Sequence, residues 1–268
     1  MTTFNSTGAV SESITRVGRY EPFELQVARG QISFHNEQNI FAYGTTPATA
    51  GLFRTVWENM NTTEYVFPTS AITMNLVSTV AGDTASITIS GLDANYNAIS
   101  EVLVLNGTTN VPTVNQYFRI NNISVSSGSA TNPSGVITLS NTGGTVIYAQ
   151  INTATINGVT SSVGTSQMAV YTVPAGYSMY GYQFSAYSSF NGNSVNYTTY
   201  RAIINLPSGV QRIILQSPFN TFYEVQRHFP FAYAPGTDIR WQIASSAATA
   251  AVVGVNIGGV LVLNDGTL

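Results

Sequence analysis

The chain has 268 residues, 44% of them hydrophobic and only 8% charged, a formal net charge of −3 from nine basic and twelve acidic residues, and no cysteine. Ample hydrophobicity with little charge excludes disorder driven by charge repulsion, and the length suffices for one or two domains with a substantial core. The lack of cysteine excludes disulfide bonds and thiolate catalysis, and since all nine basic residues are arginines with no basic face, we expect no nucleic-acid partner.

The N-terminal segment differs from the rest of the chain because much of the charge falls within its first forty positions. Its first ten residues hold no basic or long apolar stretch, so we expect no secretory signal. After Pro22, the apolar residues Phe23, Leu25 and Val27 alternate with polar or small ones up to Gly30. This period of two predicts an extended arm.

Two groups of strands follow the arm, separated by turn-rich segments. A short helix is predicted around Phe53–Met60, and the strands of the first group are Ala71–Val77, Ser86–Ser90, Ala98–Leu105, Tyr117–Val125 and Val136–Leu139. The strands of the second group are Met168–Val173, Tyr177–Tyr187, Val195–Leu206, Val210–Gln216, Thr221–Arg227, Asp238–Ala244 and a buried pair within Ala250–Leu263.

This spacing predicts an all-β protein made of two β-sandwich domains behind the arm. The first is expected to be Ig-like and the second jelly-roll-like. The predicted divisions are an extended N-terminal arm at 1–50, the first sandwich at 51–152, a linker at 153–166 and the second sandwich at 167–268.

One apolar stretch, Ala247–Leu263, approaches the length of a membrane-spanning helix. Asn256 and three glycines interrupt it, and valine and isoleucine dominate its apolar residues, which favours buried strands. We therefore expect no membrane partner.

Residues suited to catalysis are few. His35 and His228 are the two histidines, and neither lies near a recognisable nucleophile motif. A glycosidase needs two carboxylates across one bond, and the spacing of the acids selects no pair. Most acids are better explained as turn formers or arginine partners, so we expect no enzyme.

A calcium loop is suggested by the run from Asp93 to Asn97, but the pattern stops there. Ala98 stands where the loop requires glycine, and Val104 where it requires glutamate. The run is better explained as a hairpin turn closed by Asx side chains. The sequence predicts no metal site and no cofactor.

Aromatic residues are concentrated in the second predicted domain. Strict alternation places Tyr177 and Tyr187 on one strand face and Tyr180, Tyr182 and Phe184 on the other. Tyrosine-rich surfaces suit either sugar binding or subunit contacts, and a lysine-free, aromatic chain favours contacts. We expect a homo-oligomer, taken to be a trimer, and the candidate oligomer or glycan contacts are Tyr180, Tyr182, Tyr187, Tyr197 and Tyr200.

Several strings in the chain resemble segments of virion structural proteins from tailed bacteriophages, especially marine and cyanobacterial ones. The first is FELQVARGQI at 23–32 with His35 three residues on, where Phe34 replaces an expected glycine. Others are ISGLDAN at 89–95, ISE at 99–101, NG at 106–107, FRIN at 118–121 and YTVPAGY at 171–177. The resemblance spans most of the chain and implies a structural part of the particle without catalysis.

The resemblance implies a virion protein made in the host cytoplasm, with the major capsid protein or other virion proteins as partners. A capsid cement or head-decoration role is expected. Arg16, Arg19 and Arg29 are candidates for docking onto an acidic partner, although local pairing with nearby glutamates explains them equally well. Two alternatives stay open: a tail, collar or fibre adhesin that binds host glycan, and a polysaccharide-degrading enzyme.

Overall fold

The structure, a computed structural model, describes residues 21–156, 158–190 and 196–264. The chain is almost entirely β, with several sheets in a propeller-like arrangement, which confirms the predicted all-β class. Its elements are α1 (Phe23–Ala28), β1 (His35–Thr45), β2 (Arg54–Thr55), β3 (Met74–Ser78), β4 (Ser86–Leu92), β5 (Ala98–Val104), β6 (Val111–Pro112), β7 (Arg119–Val125), β8 (Ile137–Asn141), β9 (Ile147–Ile151), β10 (Thr153–Ile156), β11 (Val159–Ser162), β12 (Val170–Thr172), β13 (Tyr177–Ser188), β14 (Thr198–Asn205), β15 (Gln211–Phe219), β16 (Phe222–Tyr233), β17 (Asp238–Ser245) and β18 (Val252–Leu263).

Residues 23–28 form a helix, so the extended conformation predicted for them is wrong. Six residues are too few for a period-two pattern to exclude a helix, and this run follows Pro22, which suits a helix start. Gly30, at φ 65°, ends the helix, where its N–H donates to Val27 and that of Gln31 donates to Gln26. This pair of hydrogen bonds, together with a glycine in the left-handed conformation, is a Schellman C-cap.

The later part of the predicted arm forms a strand of a sheet instead of an arm. β1, at His35–Thr45, pairs along its whole length with β18, from His35 opposite Val262 to Thr45 opposite Val252. Ile40 and Ala42 point into the core, while Phe41 and Tyr43 between them are exposed. The polar start of this strand, HNEQN, hid it from the sequence analysis because alternation begins only at Ile40.

Two sheets contain β1 and all the strands after β11. One has the order β1-β18-β13-β16, and the other has the order β12-β17-β14-β15 with the short β2 joined to β17. Every pairing in them is antiparallel, and the apolar faces of both sheets contribute to the core. The predicted pair of strands in 250–263 is instead one long strand, β18.

The preceding strands form two further sheets with the orders β6-β3-β8-β9 and β5-β4-β7. Within the predicted linker at 153–166, β10 and β11 form a hairpin with Thr153 opposite Ser162. The structure has no helix at 53–60, where β2 and turns lie instead.

Buried side chains from both halves of the chain form one continuous hydrophobic core. Trp57 and Trp241 are among its largest members, and Val56 donates its N–H to the carbonyl oxygen of Trp241. Next to them, the Glu64 carboxylate accepts hydrogen bonds from the Thr55 hydroxyl and the Gln242 amide. The predicted boundaries at residues 152 and 167 stay a prediction, as does the assignment of Ig-like and jelly-roll-like domains.

The turn between β4 and β5 is confirmed as an Asx hairpin turn. Asp93 accepts hydrogen bonds through Oδ1 from the backbone N–H groups of Asn95 and Asn97, and through Oδ2 from the Asn97 side chain. These bonds, led by the Asn97 side chain, lower the pKa of Asp93. The Asp93 carboxylate therefore stabilises the turn.

Candidate functional site

The outer face of the sheet β1-β18-β13-β16 carries a row of aromatic side chains. Tyr43 lies opposite Gly254, Gly254 opposite Tyr187, and Tyr187 opposite Phe222, so the row crosses all four strands. Tyr43 is 40% exposed and Phe222 60% exposed. We call these residues, together with Phe41, the aromatic face.

Gly254 allows this row to form. A Cβ atom at position 254 would lie 2.1 Å from Cε1 of Tyr187, so the tyrosine ring covers the glycine directly. Burial, with a smaller contribution from Tyr43, raises the pKa of Tyr187, and its hydroxyl is therefore neutral at physiological pH.

A β-bulge corrects the predicted arrangement of the tyrosines on β13. The pairing of β13 with both neighbours shifts between Gly181 and Gln183, which reverses the alternation of the strand. As a result Tyr180, Tyr182 and Tyr187 share the outer face, whereas Phe184, expected beside Tyr180 and Tyr182, is buried on the other. Strict alternation from the sequence could not anticipate this reversal.

The neighbouring strand β16 makes a larger excursion at the same level. Gln226 lies opposite Gln183, and Phe231 lies opposite Gly181. Between these two pairs, β16 has the four residues 227–230 where β13 has the single residue Tyr182. Phe229, in this excursion, is 84% exposed. The Arg227 guanidinium lies 3.9 Å from the ring centre of Phe231, and its Nε donates to the carbonyl oxygen of Phe229.

Beside the excursion is a cleft of about 530 Å³, formed by α1 and all four strands of the sheet. It brings together His35 and His228, the two histidines of the chain. The cleft is lined by Phe23, Glu24, His35, Tyr180, Tyr182, Arg227, His228, Pro230, Val260 and Val262.

The orientation of His35 in this cleft is set by two contacts. Its Nδ1 lies 2.8 Å from the carbonyl oxygen of Ser33, so Nδ1 carries the proton and donates, which leaves Nε2 as an acceptor when the ring is neutral. Phe23 packs edge-on against the imidazole, with ring centres 5.9 Å apart. The cleft therefore combines aromatic surface with a hydrogen-bond acceptor.

The carboxylates of α1 and β1 influence the tyrosine at the centre of the cleft. Burial first, then the charges of Glu37 and Glu24, raise the pKa of Tyr182. Its hydroxyl is thus a neutral donor and acceptor at physiological pH. A cleft of this kind can bind an apolar or aromatic side chain and satisfy a polar group beside it.

The remaining two candidate tyrosines lie elsewhere, so the five do not form one cluster. Tyr200 on β14 is only 2% exposed and packs against Tyr223 with ring centres 5.4 Å apart. It is a core residue, because it lies on the inner face of its strand, and its proposed contact role is wrong. Tyr197 is 45% exposed and borders a separate surface depression with Phe219 and Asn220.

Among the docking candidates, Arg16 and Arg19 lie outside the described residues. Arg29 forms an ion pair with Glu21 across α1. This is the local pairing that the sequence analysis gave as the alternative to docking, and an exposed pair of this kind contributes little stability.

Across the described residues, no group of three or more His, Asp or Glu side chains is placed to hold a metal ion, and no helix is long and apolar enough to cross a membrane. Asp83 and Asp238 are the buried aspartates there, and both are held by hydrogen bonds within the fold.

The sequence analysis missed Phe41, Tyr43, Phe222, His228 and Phe229. The alternation of Ile40 and Ala42 with Phe41 and Tyr43 was a usable signal for an outward aromatic pair. Pro230 was a usable signal for the excursion at 227–230, because proline has no N–H to donate and within sheets is found at edges and bulges.

No family model and no curated protein matches the chain. Among solved structures, 36% of the chain is similar to 81% of the Yersinia pseudotuberculosis-derived mitogen, with 11% identity and a TM-score of 0.22. In a second match, 88% of this chain is similar to 74% of a chain from infectious bursal disease virus strain Gt, with 12% identity and a TM-score of 0.26. A chain from T=1 particles derived from that virus is similar over 87% of this chain and 70% of its own, with 12% identity and a TM-score of 0.25. TM-scores this low establish no common fold.

Proposed function

We propose that this protein is a non-enzymatic virion structural protein, and specifically a capsid cement or head-decoration protein of a phage particle. The observation that carries the proposal is the aromatic face together with Phe229. The four aromatic side chains of this face are Phe41, Tyr43, Tyr187 and Phe222, and Phe229 on β16 is 84% exposed. Together they form a surface suited to subunit contact.

Phe222 and Phe229 are the most exposed aromatic side chains of this surface. Fully burying a phenylalanine side chain stabilises an assembly by about 1.5–3 kcal/mol. Aromatic residues are enriched at the centres of protein interfaces, where lysine is depleted, and this chain contains no lysine. The proposed occupant of the face is a neighbouring virion subunit, either a second copy of this chain or the major capsid protein.

The strand order supports a jelly-roll-like second domain. Counting β1 and β12–β18 as eight strands in chain order, one sheet has the order 1-8-3-6 and the other 2-7-4-5. Each sheet thus mixes early and late strands, as two interlocked Greek keys do, and jelly rolls of this kind build viral capsid and lectin domains. In this interpretation, residues 46–169 are an insertion between the first two strands.

The inserted strands support an Ig-like sandwich. Four strands in β6-β3-β8-β9 and three in β5-β4-β7, all antiparallel, give the seven strands of such a domain. A fold shared by many functions does not identify one, and the aromatic face therefore has to be tested directly.

Location on the particle distinguishes the proposed role from its main alternative. Labelled imaging of intact virions, with copy number from quantitative mass spectrometry, should find this protein in many copies across the head. A few copies confined to the tail, collar or one vertex would contradict the cement role and favour a glycan-binding adhesin. Absence from purified virions would refute both.

A variant with Phe222→Ser and Phe229→Ser tests the surface itself. We expect at least a tenfold loss of binding to particles lacking the protein, with an unchanged Tm, because both side chains are exposed in the free subunit. The matched control is Val102→Ser with Val104→Ser, since both valines are 57% exposed on β5. Equal binding by the two variants would contradict the assignment of the face.

The contribution of the arginines before α1 is tested by deleting residues 1–20, which leaves α1 and β1 intact. If Arg16 and Arg19 dock the protein, occupancy on particles falls after the deletion. The comparison variant Arg29→Gln should retain occupancy, since Arg29 is already paired with Glu21. Undiminished occupancy after the deletion would exclude docking by this segment.

A further inference from the structure

A second concave surface, separate from the aromatic cleft, lies between β1 and the strands β4, β5 and β7. It is a groove of about 480 Å³, closed on one side by residues of β12, β13 and β18. None of its lining side chains carries a charge. The polar members are amides and hydroxyls, among them Asn36, Gln38, Asn39, Ser100, Asn122 and Tyr171.

Tyr171 is one of the most deeply buried polar residues that line the groove. It is only 6% exposed, lines the groove, and its hydroxyl makes no hydrogen bond to another described residue. Burial raises its pKa, so the hydroxyl is neutral and can both donate and accept. A molecule bound in the groove could supply the hydrogen-bond partner that this nearly buried side chain lacks among the described residues.

Asn122 is held in a fixed orientation at the groove. Its Oδ1 accepts hydrogen bonds from the hydroxyls of Thr165 at 3.1 Å and Ser166 at 3.2 Å. The amide nitrogen is left as a donor, with no hydrogen bond to any described residue. The same holds for the amide groups of Asn36 and Asn39 on β1, which are exposed along the groove.

These groups determine the class of ligand that the groove can accept. An anion or cation would find no counter-charge, and a wholly apolar ligand would leave the amides and the Tyr171 hydroxyl without partners. A neutral molecule with many hydroxyl groups fits, because amides and hydroxyls both donate and accept. Tyr177 and the half-exposed Phe41 add apolar ring surface suited to the C–H faces of a sugar.

We propose that this groove is a binding site for a neutral saccharide. The site goes beyond the proposed structural role, since it shares none of the lining residues of the aromatic cleft and only Phe41 with the aromatic face. It also contains none of the five tyrosines that the sequence suggested for oligomer or glycan contact, which are Tyr180, Tyr182, Tyr187, Tyr197 and Tyr200.

The test is ligand-observed NMR on the full-length protein with maltotriose, cellotriose and N-acetylated chitotriose as neutral probes. The probes are used up to about 10 mM, where a millimolar Kd is still detected. 3′-Sialyllactose is the charged probe, and a capped strand-forming heptapeptide tests whether the edges of β1 and β5 capture a peptide instead. The variants are Tyr171→Phe and Asn39→Ala, and Asn110→Ala, an exposed amide outside the groove, is the matched control.

We expect at least one neutral trisaccharide to bind, with a fivefold or greater rise in Kd for Tyr171→Phe and for Asn39→Ala. Loss of one hydrogen bond of about 1 kcal/mol corresponds to that factor. The control should bind as the wild type, and all three variants should keep the wild-type Tm. Binding of no neutral probe, binding of the peptide alone, or equal Kd values for the variants and the control would each overturn the proposal. None of these results depends on where the protein sits on a particle.

Discussion

Arg119 and Asp238 form a buried bidentate ion pair that joins β7 to β17. Nε of Arg119 lies 2.7 Å from Oδ1 of Asp238, and Nη2 lies 2.9 Å from Oδ2. The other guanidinium nitrogen donates to the carbonyl oxygens of Pro68 and Phe118, and the Thr172 hydroxyl donates to Oδ1 of Asp238. The donors and acceptors of this pair are therefore well satisfied inside the fold.

Removing one partner of this pair should be strongly destabilising. Arg119→Met leaves the Asp238 carboxylate buried without a counter-charge, and we expect the free energy of unfolding to fall by about 3–5 kcal/mol. Urea denaturation measures the change. The control is Arg29→Met, which breaks an exposed ion pair and should cost less than about 1 kcal/mol. Similar losses for the two variants would show that the buried pair contributes no more than the surface pair.

Glu58 should make stability depend on pH. Its Oε1 accepts a hydrogen bond from the backbone of Gln167, while Oε2 is buried without a partner. Burial raises the pKa of Glu58 from 4.5 to about 8, against the smaller opposing effect of the Gln167 N–H. The folded state therefore binds the proton more tightly than the unfolded state does. The resulting contribution of Glu58 to the free energy of unfolding is fully present below pH 4.5 and is lost as pH rises towards 8.

The variant Glu58→Gln removes that titration. We expect its Tm to match the wild type near pH 4.5 and to exceed it near pH 8, by an amount equivalent to about 1–3 kcal/mol. Thermal unfolding across this pH range is the measurement, with the exposed Glu37→Gln as control. If the difference in Tm between the wild type and the variant does not change with pH, a raised pKa at Glu58 is contradicted.

Phe34 adopts a left-handed backbone conformation at φ 65°, a region that glycine occupies far more readily than other residues. For a bulky residue this conformation costs roughly 1–2 kcal/mol, whereas glycine adopts it freely but loses more entropy on folding. We expect Phe34→Gly to raise the free energy of unfolding by up to about 1 kcal/mol. Phe34→Ala separates backbone strain from the ring, because it keeps the strain. If both variants have the same stability, strain at position 34 is not the cause.

Gly254 should tolerate no side chain while Tyr187 covers it. Gly254→Ala places a methyl group within 2.1 Å of the ring position, and we expect a loss of about 1–3 kcal/mol from the forced displacement. The double variant with Tyr187→Ala should recover part of that loss in a double-mutant cycle. Gly128→Ala is the control, since no atom lies within 4 Å of its added methyl. Purely additive effects in the cycle would contradict direct contact between the ring and position 254.

Local patterns predicted many strands closely because apolar alternation and turn residues act over a few positions. The predicted strands 86–90, 98–105 and 238–244 correspond to β4, β5 and β17. The same reasoning failed at residues 23–28, where six residues fit either period and proline and glycine at the two ends decide for a helix. It missed β1 because a polar strand start carries no alternation.

The candidate site was harder to predict than the strands. Tyr180, Tyr182 and Tyr187 were identified as contact residues, but their common face depends on the bulge at Gly181, which forms only through pairing with two neighbours. Tyr200 could not be told from a surface tyrosine, since its burial depends on packing against Tyr223 from another strand.

By itself the sequence determined the all-β class, most strand positions and the absence of thiol chemistry, because these depend on composition and on neighbours within about ten residues. Only the tertiary structure decided that His35 meets His228, that Tyr43, Tyr187 and Phe222 form one row, and that β1 pairs with β18 across the length of the chain. These relationships depend on strand partners and register, which are chosen by burial over the whole fold rather than by any local run of residues.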